Sequence, residues 1–387
     1  MKGKEGLKKK TISEELVTLI NVNVFFKEFT FSKNEFYPQR GEQKELADNI
    51  IIIDDLLFVI QIKERNCDNA TTNNVDNWFL NKVKKKAKDQ IKNTIRYFNK
   101  YEEIIVENEK KERIDVSKAN LSAVNKLVVY KCDEKLNKEN RECKFFDSNE
   151  VGVIHVLNYE DYYWVCKYLT TPIELDRYLK FREKFYNCHG TNVVGFPEQY
   201  FLSHFITTLD VSKVGDYRDN LSKLDIGNND IFSVVSNFQN IMVDEEQKKS
   251  TKYYLLLAEL AKLSRVEIEQ FVLRYKSALE DVKKDKEDKM NLPYRFVATN
   301  RVGFVFIPVK EEGEMDYNNF LNVNVEYFKY KHRLEKCIGV LFYKVNDDVV
   351  INWTFFKREW KFNQTLNDLV NLETVNEMKI IKPKRYY

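Results

Sequence analysis

Residues 45–63 constrain the fold more than any other part of the chain. They read Glu-Leu-Ala-Asp-Asn-Ile-Ile-Ile-Ile-Asp-Asp-Leu-Leu-Phe-Val-Ile-Gln-Ile-Lys, two apolar runs joined by Asp54-Asp55. Apolar runs rich in β-branched residues around a short polar pair predict two buried strands and a tight turn. Asp48, Gln61 and Lys63 interrupt this pattern, and burying such groups without partners is costly. The hairpin is therefore expected to have a purpose beyond filling a core.

The turn defines which residues of this hairpin face one another. If Asp54-Asp55 is a two-residue turn, Ile53 pairs with Leu56, and Asp48 then lies opposite Gln61. Directly opposed residues project from the same face, and side chains alternate along each strand, so Lys63 shares that face. The register predicts one polar cluster of Asp48, Gln61 and Lys63. A slip by one residue would separate Asp48 from the other two.

Composition indicates a globular protein without a strong overall field. The chain has 387 residues, 43% of them hydrophobic, and 63 basic against 60 acidic residues give a net charge of +3. A nucleic-acid-binding surface would therefore have to be local. The six cysteines form no Cys-x-x-Cys pair and no apolar run reaches 18 residues, which favours a cytoplasmic protein with reduced thiols and no membrane partner.

We expect a mixed α/β fold in three parts. Residues 1–190 contain the hairpin, residues 191–290 are mainly helical, and residues 291–387 form a C-terminal α/β module. Near the start, Thr11 and Glu14 have the spacing of a capping box and predict the first helix. Residues 25–31 then predict a strand, and the Asn-rich and Asp-rich residues 64–77 predict a mobile loop beside the polar cluster.

The C-terminal module has a regular pattern of its own. Alternating apolar residues predict strands over 295–299, 303–309, 338–344 and 349–355, with a helix over 317–334 between the second and third. The last two strands form a hairpin whose turn resembles the first one and which lacks the Asp and Gln-x-Lys. This hairpin is a natural comparison for the polar cluster.

A basic helix is predicted over residues 78–100. Apolar residues recur on one stripe, and basic residues recur every four positions on another, namely Lys84, Lys88, Lys92 and Arg96. Residues 82–96 carry seven positive charges against the single Asp89. A solvated amphipathic helix and a phosphate-binding helix both explain the pattern, and the shortage of acidic neighbours keeps the second reading open.

The polar cluster has the chemistry of a site for a hard divalent cation. The Asp48 carboxylate, the Gln61 side-chain oxygen and the Ile62 carbonyl offer oxygens of the kind that Mg²⁺ or Mn²⁺ takes, with water completing the shell. Lys63 would then orient or help deprotonate the water that attacks a phosphorus atom. Glu45, three residues before Asp48, is a further candidate catalytic residue. A plain buried ion pair of Asp48 with Lys63 is the simpler alternative, but it leaves Gln61 unexplained.

Asp48 and the tripeptide Gln61-Ile62-Lys63, followed by a basic helix, resemble the PD-(D/E)xK nuclease superfamily. Gln61 stands where most members have a second acid, as in a Gln-x-Lys variant similar to Mrr-type restriction enzymes, and no proline precedes Asp48. The resemblance implies a restriction-endonuclease-like core within residues 1–190. It makes Glu14 or Glu15 of the first helix a further metal ligand, and Glu15 is the preferred candidate because Glu14 serves the capping box.

The resemblance implies a Mg²⁺- or Mn²⁺-dependent endonuclease acting on DNA, in restriction or antiviral defence. RNA as the substrate, a homo-oligomer and a companion defence protein all remain open. A different hypothesis is a catalytically inactive nuclease-fold protein that binds nucleic acid or acts as a scaffold component. In a third, the C-terminal module senses a small ligand or a phage protein and the nuclease is its output.

Overall fold

The computed structural model describes residues 11–38, 43–65, 71–132, 135–169, 171–224, 251–284, 294–299, 302–309, 316–345 and 348–373. Internal contacts divide the chain into two compact units, and the division falls between Asn228 and Asn229. Residues 191–228 thus belong with the N-terminal unit, which is a different division from the expected boundary at residue 190.

The helices of the described residues lie mainly between and after the strands. They are α1 Ile12–Phe25, α2 Thr72–Trp78, a π-helix Phe79–Lys86, α3 Ala87–Lys100, α4 Lys138–Arg141, α5 Tyr159–Tyr168, α6 Pro172–His189, a 3₁₀ turn Gly190–Asn192, α7 Glu198–Thr207, α8 Asp219–Leu224, α9 Thr251–Ala261, α10 Arg265–Lys283, α11 Tyr317–Lys331 and α12 Gln364–Glu373.

The strands of the described residues form two main sheets and two short ribbons. They are β1 Thr30–Phe31, β2 Glu35–Phe36, β3 Lys44–Glu45, β4 Asn49–Ile53, β5 Leu56–Glu64, β6 Ile105–Glu107, β7 Arg113–Asp115, β8 Val124–Lys131, β9 Phe145–Phe146, β10 Ile154–Asn158, β11 Arg295–Ala298, β12 Gly303–Pro308, β13 Lys336–Val345 and β14 Asp348–Lys357.

The N-terminal unit is built on a mixed sheet of order β1-β4-β5-β8-β10-β9. Strands β1, β4 and β5 are antiparallel neighbours, whereas β8 runs parallel to β5 and β10 runs parallel to β8. Parallel neighbours need a crossover, which the helical segment from α2 to α3 provides between β5 and β8. The expected mixed α/β fold class is confirmed.

Both faces of this sheet are covered, because β5 is apolar on both sides. Leu57 and Val59 pack in one core cluster with Val83 and Ile91 of the crossover segment. The alternate residue Phe58 faces the other side, where it stacks on Phe25 of α1 with ring centroids 6.1 Å apart. The crossover segment and α1 therefore lie on opposite faces.

The C-terminal unit contains the sheet β11-β12-β13-β14. Strands β12 and β13 are parallel and are connected through α11, while the outer pairs are antiparallel. This is the predicted order of two strands, a helix and two strands. The turns at residues 300–301 and 346–347 lie outside the described residues. Within the described ranges, no helix is long and apolar enough to cross a membrane.

Two local predictions in the N-terminal unit are wrong. Residues 25–31 are not one strand, because α1 continues to Phe25 and only Thr30–Phe31 pairs with β4. Residues 64–77 are not one loop either. Thr71 caps a helix that begins at Thr72, and its hydroxyl accepts a hydrogen bond from the Asn74 amide. The expected basic tail, residues 1–10, and residues 66–70 lie outside the described residues.

A buried charged network joins α6 to α7 across residue 190. The Arg182 guanidinium donates to the Glu198 carboxylate at 2.6 Å from Nε and at 3.0 Å from Nη2, and both side chains are 1% exposed. Lys144 lies 3.3 Å from the same carboxylate. Burial opposes the charge on Glu198, but Arg182 and Lys144 outweigh it and lower the pKa of Glu198 to about 2. This pairing explains why residues beyond 190 stay with the N-terminal unit.

His155 lies against this network and is expected to be neutral. Burial, followed by the charge of Arg182, lowers the pKa of His155 to about 3 from an ordinary 6.5. An unfolded chain would bind a proton near pH 6.5, whereas the folded chain resists it until about pH 3. The contribution of His155 to stability is therefore complete above pH 6.5 and is lost as the pH falls towards 3.

We predict that the stability gap between the wild type and His155→Asn narrows on acidification. The gap in the free energy of unfolding should shrink by up to about 1.4 kcal/mol per pH unit below pH 6.5, because only the wild type must keep a buried imidazole neutral. Urea denaturation of both proteins between pH 7.5 and 4.5 measures this. Taking the difference cancels the titrations that both proteins share, and a constant gap would contradict the prediction.

Candidate functional site

The hairpin β4–β5 has the register predicted from its turn. Ile53 pairs with Leu56 and Asn49 pairs with Ile60, so the partner numbers sum to 109 throughout. Asp54 enters the turn with φ of 49°, in the left-handed region that Asp tolerates better than most residues. Asp48 directly precedes the first ladder residue and is 8% exposed. The predicted geometry of the hairpin is confirmed.

Asp48, Gln61 and Lys63 meet at the open end of this hairpin. The Lys63 ammonium Nζ donates to Asp48 Oδ2 at 2.9 Å, to Gln61 Oε1 at 3.1 Å and to the Ile62 carbonyl at 2.9 Å. Asp48 Oδ2 also accepts the Ile62 amide at 2.6 Å. The side chains of Lys63 and Asp48 are only 11% and 4% exposed. The cluster is therefore an ion pair of which Gln61 is an integral member.

Hydrogen bonds from neighbouring elements fix the residues on both sides of Asp48. The Asn34 amide donates to the Ala47 carbonyl at 2.9 Å, and the Thr94 hydroxyl of α3 donates to the Leu46 carbonyl. On the other side, the side-chain oxygen of Asn49 accepts from the Asn21 amide of α1 at 2.9 Å. Each of these groups is buried, so the position of Asp48 is defined by hydrogen bonds to helices on both faces of the sheet.

The basic helix lies on the same face of the sheet as the cluster. Along β5, every second residue projects from the same face. Gln61 and Lys63 continue the series begun by Leu57 and Val59, and so they share the face that packs against the crossover segment. Tyr130, the ladder partner of Lys63, contacts Phe79 at the start of the π-helix with ring centroids 5.2 Å apart. The beginning of the basic segment is thereby anchored beside the cluster.

A π-helical segment keeps the buried stripe of this helix in line. The stripe recurs every four residues from Val75 to Ile91, through Phe79, Val83 and Ala87. One turn of an α-helix contains 3.6 residues, so residues four apart are slightly more than one turn apart. In a regular α-helix the stripe would therefore rotate gradually away from the sheet, and wider turns are needed to keep it in line. The π-helix supplies these turns and carries three lysines in its last turn.

The predicted phosphate contacts have different surroundings in the structure. Glu150, far along the chain, pairs with both Lys88 and Lys92, at 3.7 Å from Lys88. The Lys84 ammonium lies 5.7 Å from the centre of the Phe79 ring, and Arg96 packs over Tyr97. The expectation that these basic residues lack acidic partners is therefore only partly correct. Glu150 is one such partner, and its distance along the chain hides it from the spacing within the helix.

The two candidate glutamates lie away from the Lys63 contacts. Glu45 is exposed in β3, where it pairs with Glu35 of β2. Glu15 is exposed in the first turn of α1, and Glu14 forms the predicted capping box with Thr11. The end of β5 does approach α1, because the Ser13 amide donates to Glu64 at 3.1 Å. Among the acids considered, only Asp48 belongs to the cluster.

Arg65 is a candidate that the sequence analysis did not identify. Its amide continues the ladder by donating to the Lys131 carbonyl at 2.9 Å, so alternation places its side chain on the same face as Lys63. Its Nε is buried and has no hydrogen-bond partner within the described ranges. A buried unpaired guanidinium nitrogen is costly, and a phosphate oxygen is a suitable partner for it. The signal would have been a third polar residue at alternate spacing after Gln61 and Lys63.

The oxygens at the cluster suit a hard cation in kind and in direction. A carboxylate, an amide oxygen and a backbone carbonyl all point at one place, and the ammonium of Lys63 holds that place. Without the Lys63 ammonium these oxygens would lack a positively charged partner, and they are of the kind that a hard divalent cation takes. In the described ranges, no group of three or more His, Cys, Asp or Glu side chains is arranged to hold a metal.

Comparisons with known proteins identify no relative. No family model matches the chain, and no curated protein and no solved structure matches it.

We predict that Lys63→Met makes stability depend on divalent cations. Removing the ammonium leaves the Asp48 carboxylate buried and unpaired, at a cost of about 3–5 kcal/mol. Mg²⁺ or Mn²⁺ should restore a large part of this lost stability, because the three oxygens that contact Lys63 in the wild type can coordinate the cation instead. Thermal unfolding in EDTA and in millimolar Mg²⁺ or Mn²⁺ measures the effect.

The double variant Asp48→Asn, Lys63→Met is the matched control. It removes the carboxylate together with the ammonium, so it should be less destabilised and should not respond to the cations. An equal response of the single and double variants would show that the cations act elsewhere.

Proposed function

We propose that the protein is a metal-dependent endonuclease that hydrolyses phosphodiester bonds of DNA. The observation that carries this proposal is the convergence of Asp48, Gln61, the Ile62 carbonyl and Lys63 Nζ at the end of one hairpin. Oxygens for a cation and a lysine for a phosphate occur together there, on the sheet face that carries the basic helix.

The architecture supports the same proposal. A first helix, a mixed sheet whose hairpin carries the acid and the Gln-x-Lys, and a following basic helix occur in this order. This is the order that the resemblance to PD-(D/E)xK nucleases implies, and in that family the setting is restriction or antiviral defence. The experiments below also test RNA as the substrate.

Each residue of the cluster has a role in this proposal. Asp48, Gln61 and the Ile62 carbonyl would hold Mg²⁺ or Mn²⁺, which would supply Lewis-acid stabilisation of the charge that develops on the phosphate. Lys63 turns from these oxygens towards the substrate, where its ammonium orients the attacking water and stabilises the same charge. Arg65 binds a nonbridging phosphate oxygen, and the lysines of the basic helix bind the neighbouring phosphates.

The alternative class is a nuclease-fold protein without catalysis that binds nucleic acid or acts as a scaffold. One observation favours it: the single carboxylate of the cluster is already neutralised by Lys63, and Gln61 adds no second negative charge. It requires binding that survives Asp48→Ala and does not respond to Mg²⁺.

We predict that purified protein cleaves DNA with Mg²⁺ or Mn²⁺ and that Asp48→Ala and Lys63→Ala each lower the rate by about a hundredfold or more. Single-turnover cleavage of a supercoiled plasmid and of a labelled single-stranded RNA measures the rate and separates the two substrates. Asp55→Asn, at the opposite end of the hairpin, is the control and should retain cleavage. Cleavage at the wild-type rate in both alanine variants would overturn the proposal, and metal-independent binding without cleavage would favour the alternative.

The salt dependence of binding tests the basic helix. In the variant Lys88→Gln, Lys92→Gln, Arg96→Gln, the slope of log K against log salt should fall by up to about 3, since each lost phosphate contact removes roughly 0.9. Fluorescence anisotropy with a duplex at several salt concentrations, in Ca²⁺ to limit cleavage, gives the slope.

Two further triple variants make this result specific to one face. Lys82, Lys85 and Lys86 are exposed on the π-helix, and Arg177, Lys180 and Lys184 are exposed on α6. Replacing the first set by glutamine asks whether the π-helix faces the phosphates instead. Replacing the second set should leave the slope unchanged, and an equal loss in all three would indicate nonspecific attraction.

A further inference from the structure

A small cavity in the C-terminal unit carries the inference. It has a volume of about 160 Å³ and lies between the end of α11 and the residues that follow β14. Lys329, Tyr330, Phe356, Arg358, Trp360 and Phe362 contribute to its wall. A cavity of about 150 Å³ is large enough for one benzene ring. The space therefore suits a small planar molecule.

Lys329 is the unusual residue of this wall. It is 6% exposed, and in the part of the chain that the structure describes its ammonium has no hydrogen-bond or ion-pair partner. Burial, and secondly the charge of Arg358, lowers the pKa of Lys329. A lysine with little exposure and no hydrogen-bond or ion-pair partner loses part of its hydration, which costs free energy. An anion in the cavity would offset that cost.

The charges around the cavity leave Lys329 as the available cation. Arg358 is engaged with Glu326 at 3.5 Å, and these two side chains are 71% and 47% exposed. The pair therefore lies at the solvent side, whereas Lys329 lies deeper. Glu359 and Lys361 also contribute to the wall and offset each other in charge. The wall thus carries three basic and two acidic side chains, which leaves one positive charge in excess. Glu326 and Glu335 favour the charged form of Lys329, but burial and Arg358 outweigh them and the pKa is still lowered.

Trp360 is the best-connected aromatic residue of the wall. Trp360 stacks on Tyr330 with ring centroids 5.5 Å apart, and its Nε1 donates to the Tyr330 carbonyl at 3.0 Å. The indole nitrogen is thus already satisfied, which leaves the ring to offer apolar surface. Phe356 and Phe362 add further apolar surface. Such a wall favours a flat apolar group over a hydrated ion.

We propose that this cavity binds a small planar organic anion, whose carboxylate or phosphate pairs with Lys329 and whose ring packs against Trp360. The site belongs to the C-terminal unit and does not depend on the nuclease proposal. Its chemistry is that of a ligand-sensing module, because the ligand would join α11 to the segment after β14 and so stabilise both.

Isothermal titration of the full-length protein with benzoate, phenyl phosphate and inorganic phosphate tests the proposal. The two organic anions should bind, and inorganic phosphate should bind at least tenfold more weakly. Lys329→Met should weaken both organic anions by tenfold or more. Lys357→Met, an exposed lysine at the end of β14, is the matched control and should bind like the wild type.

Two further measurements keep the proposal open to refutation. Lys329→Gln replaces Lys329→Met if the latter does not fold, and Trp360→Leu should weaken phenyl phosphate more than inorganic phosphate. Absence of binding by both organic anions, unchanged binding in the Lys329 variants, or equal binding of phenyl and inorganic phosphate would each overturn the proposal.

Discussion

The ion pair between Lys63 and Asp48 is the interaction on which the candidate site depends. Each charge is nearly removed from water, and such a pair is tolerated only when its remaining hydrogen-bonding capacity is used. Gln61, the Ile62 carbonyl and the Ile62 amide use it. Because Lys63 lies on β5 and Asp48 directly precedes β4, the pair also holds the hairpin in the register that brings these groups together. The same ion pair therefore determines both the chemistry of the site and the pairing of the two strands.

In the proposed nuclease, this constraint would explain how one carboxylate serves where PD-(D/E)xK enzymes usually have a second acid. With Lys63 in place the cluster is electrically neutral, so it needs no further charge to be stable. When the ammonium leaves, three oxygens and one negative charge remain, which is a weak but suitable set for a divalent cation. A phosphate that attracts Lys63 would thus prepare the cation site at the same moment. Substrate and metal would bind cooperatively, since each relieves the cost that the other creates.

Local chemistry made much of the fold predictable. The Asp54-Asp55 turn and the apolar runs defined the first hairpin, and period-two patterns defined the C-terminal strands, because both depend on neighbouring residues. The helix at Thr72 was missed although Thr71 is a suitable N-cap, since its polar residues resemble those of a loop. Its buried residue Val75 begins a stripe that continues only through the π-helix. A period between 3.6 and 4.4 residues per turn cannot be assigned from a short window.

Contacts between distant residues were beyond the reach of such patterns. Glu150 pairs with Lys88 and Lys92 only because β10 returns beside β8, and Glu198 compensates Arg182 from the next helix. The alternate spacing of Arg65 after Gln61 and Lys63 was a signal, but the lack of a partner for its Nε in the described ranges is visible only in a structure. The polar cluster was predictable because strand alternation brings Gln61 and Lys63 to one face, and the register set by the turn places Asp48 beside them.

Two lysines with little exposure, Lys63 and Lys329, illustrate what a structure adds to composition. Lys63 has three oxygen partners, and its charge is compensated in full by the protein. Lys329 is buried to a similar degree and lines a cavity without a partner in the described ranges. A folded chain can retain a charged side chain without a partner, but this lowers its stability. A bound ligand of opposite charge would raise the stability again. The same side chain therefore has opposite surroundings in the two units: Lys63 occupies the oxygens of the polar cluster, whereas Lys329 lines a cavity without a partner in the described ranges.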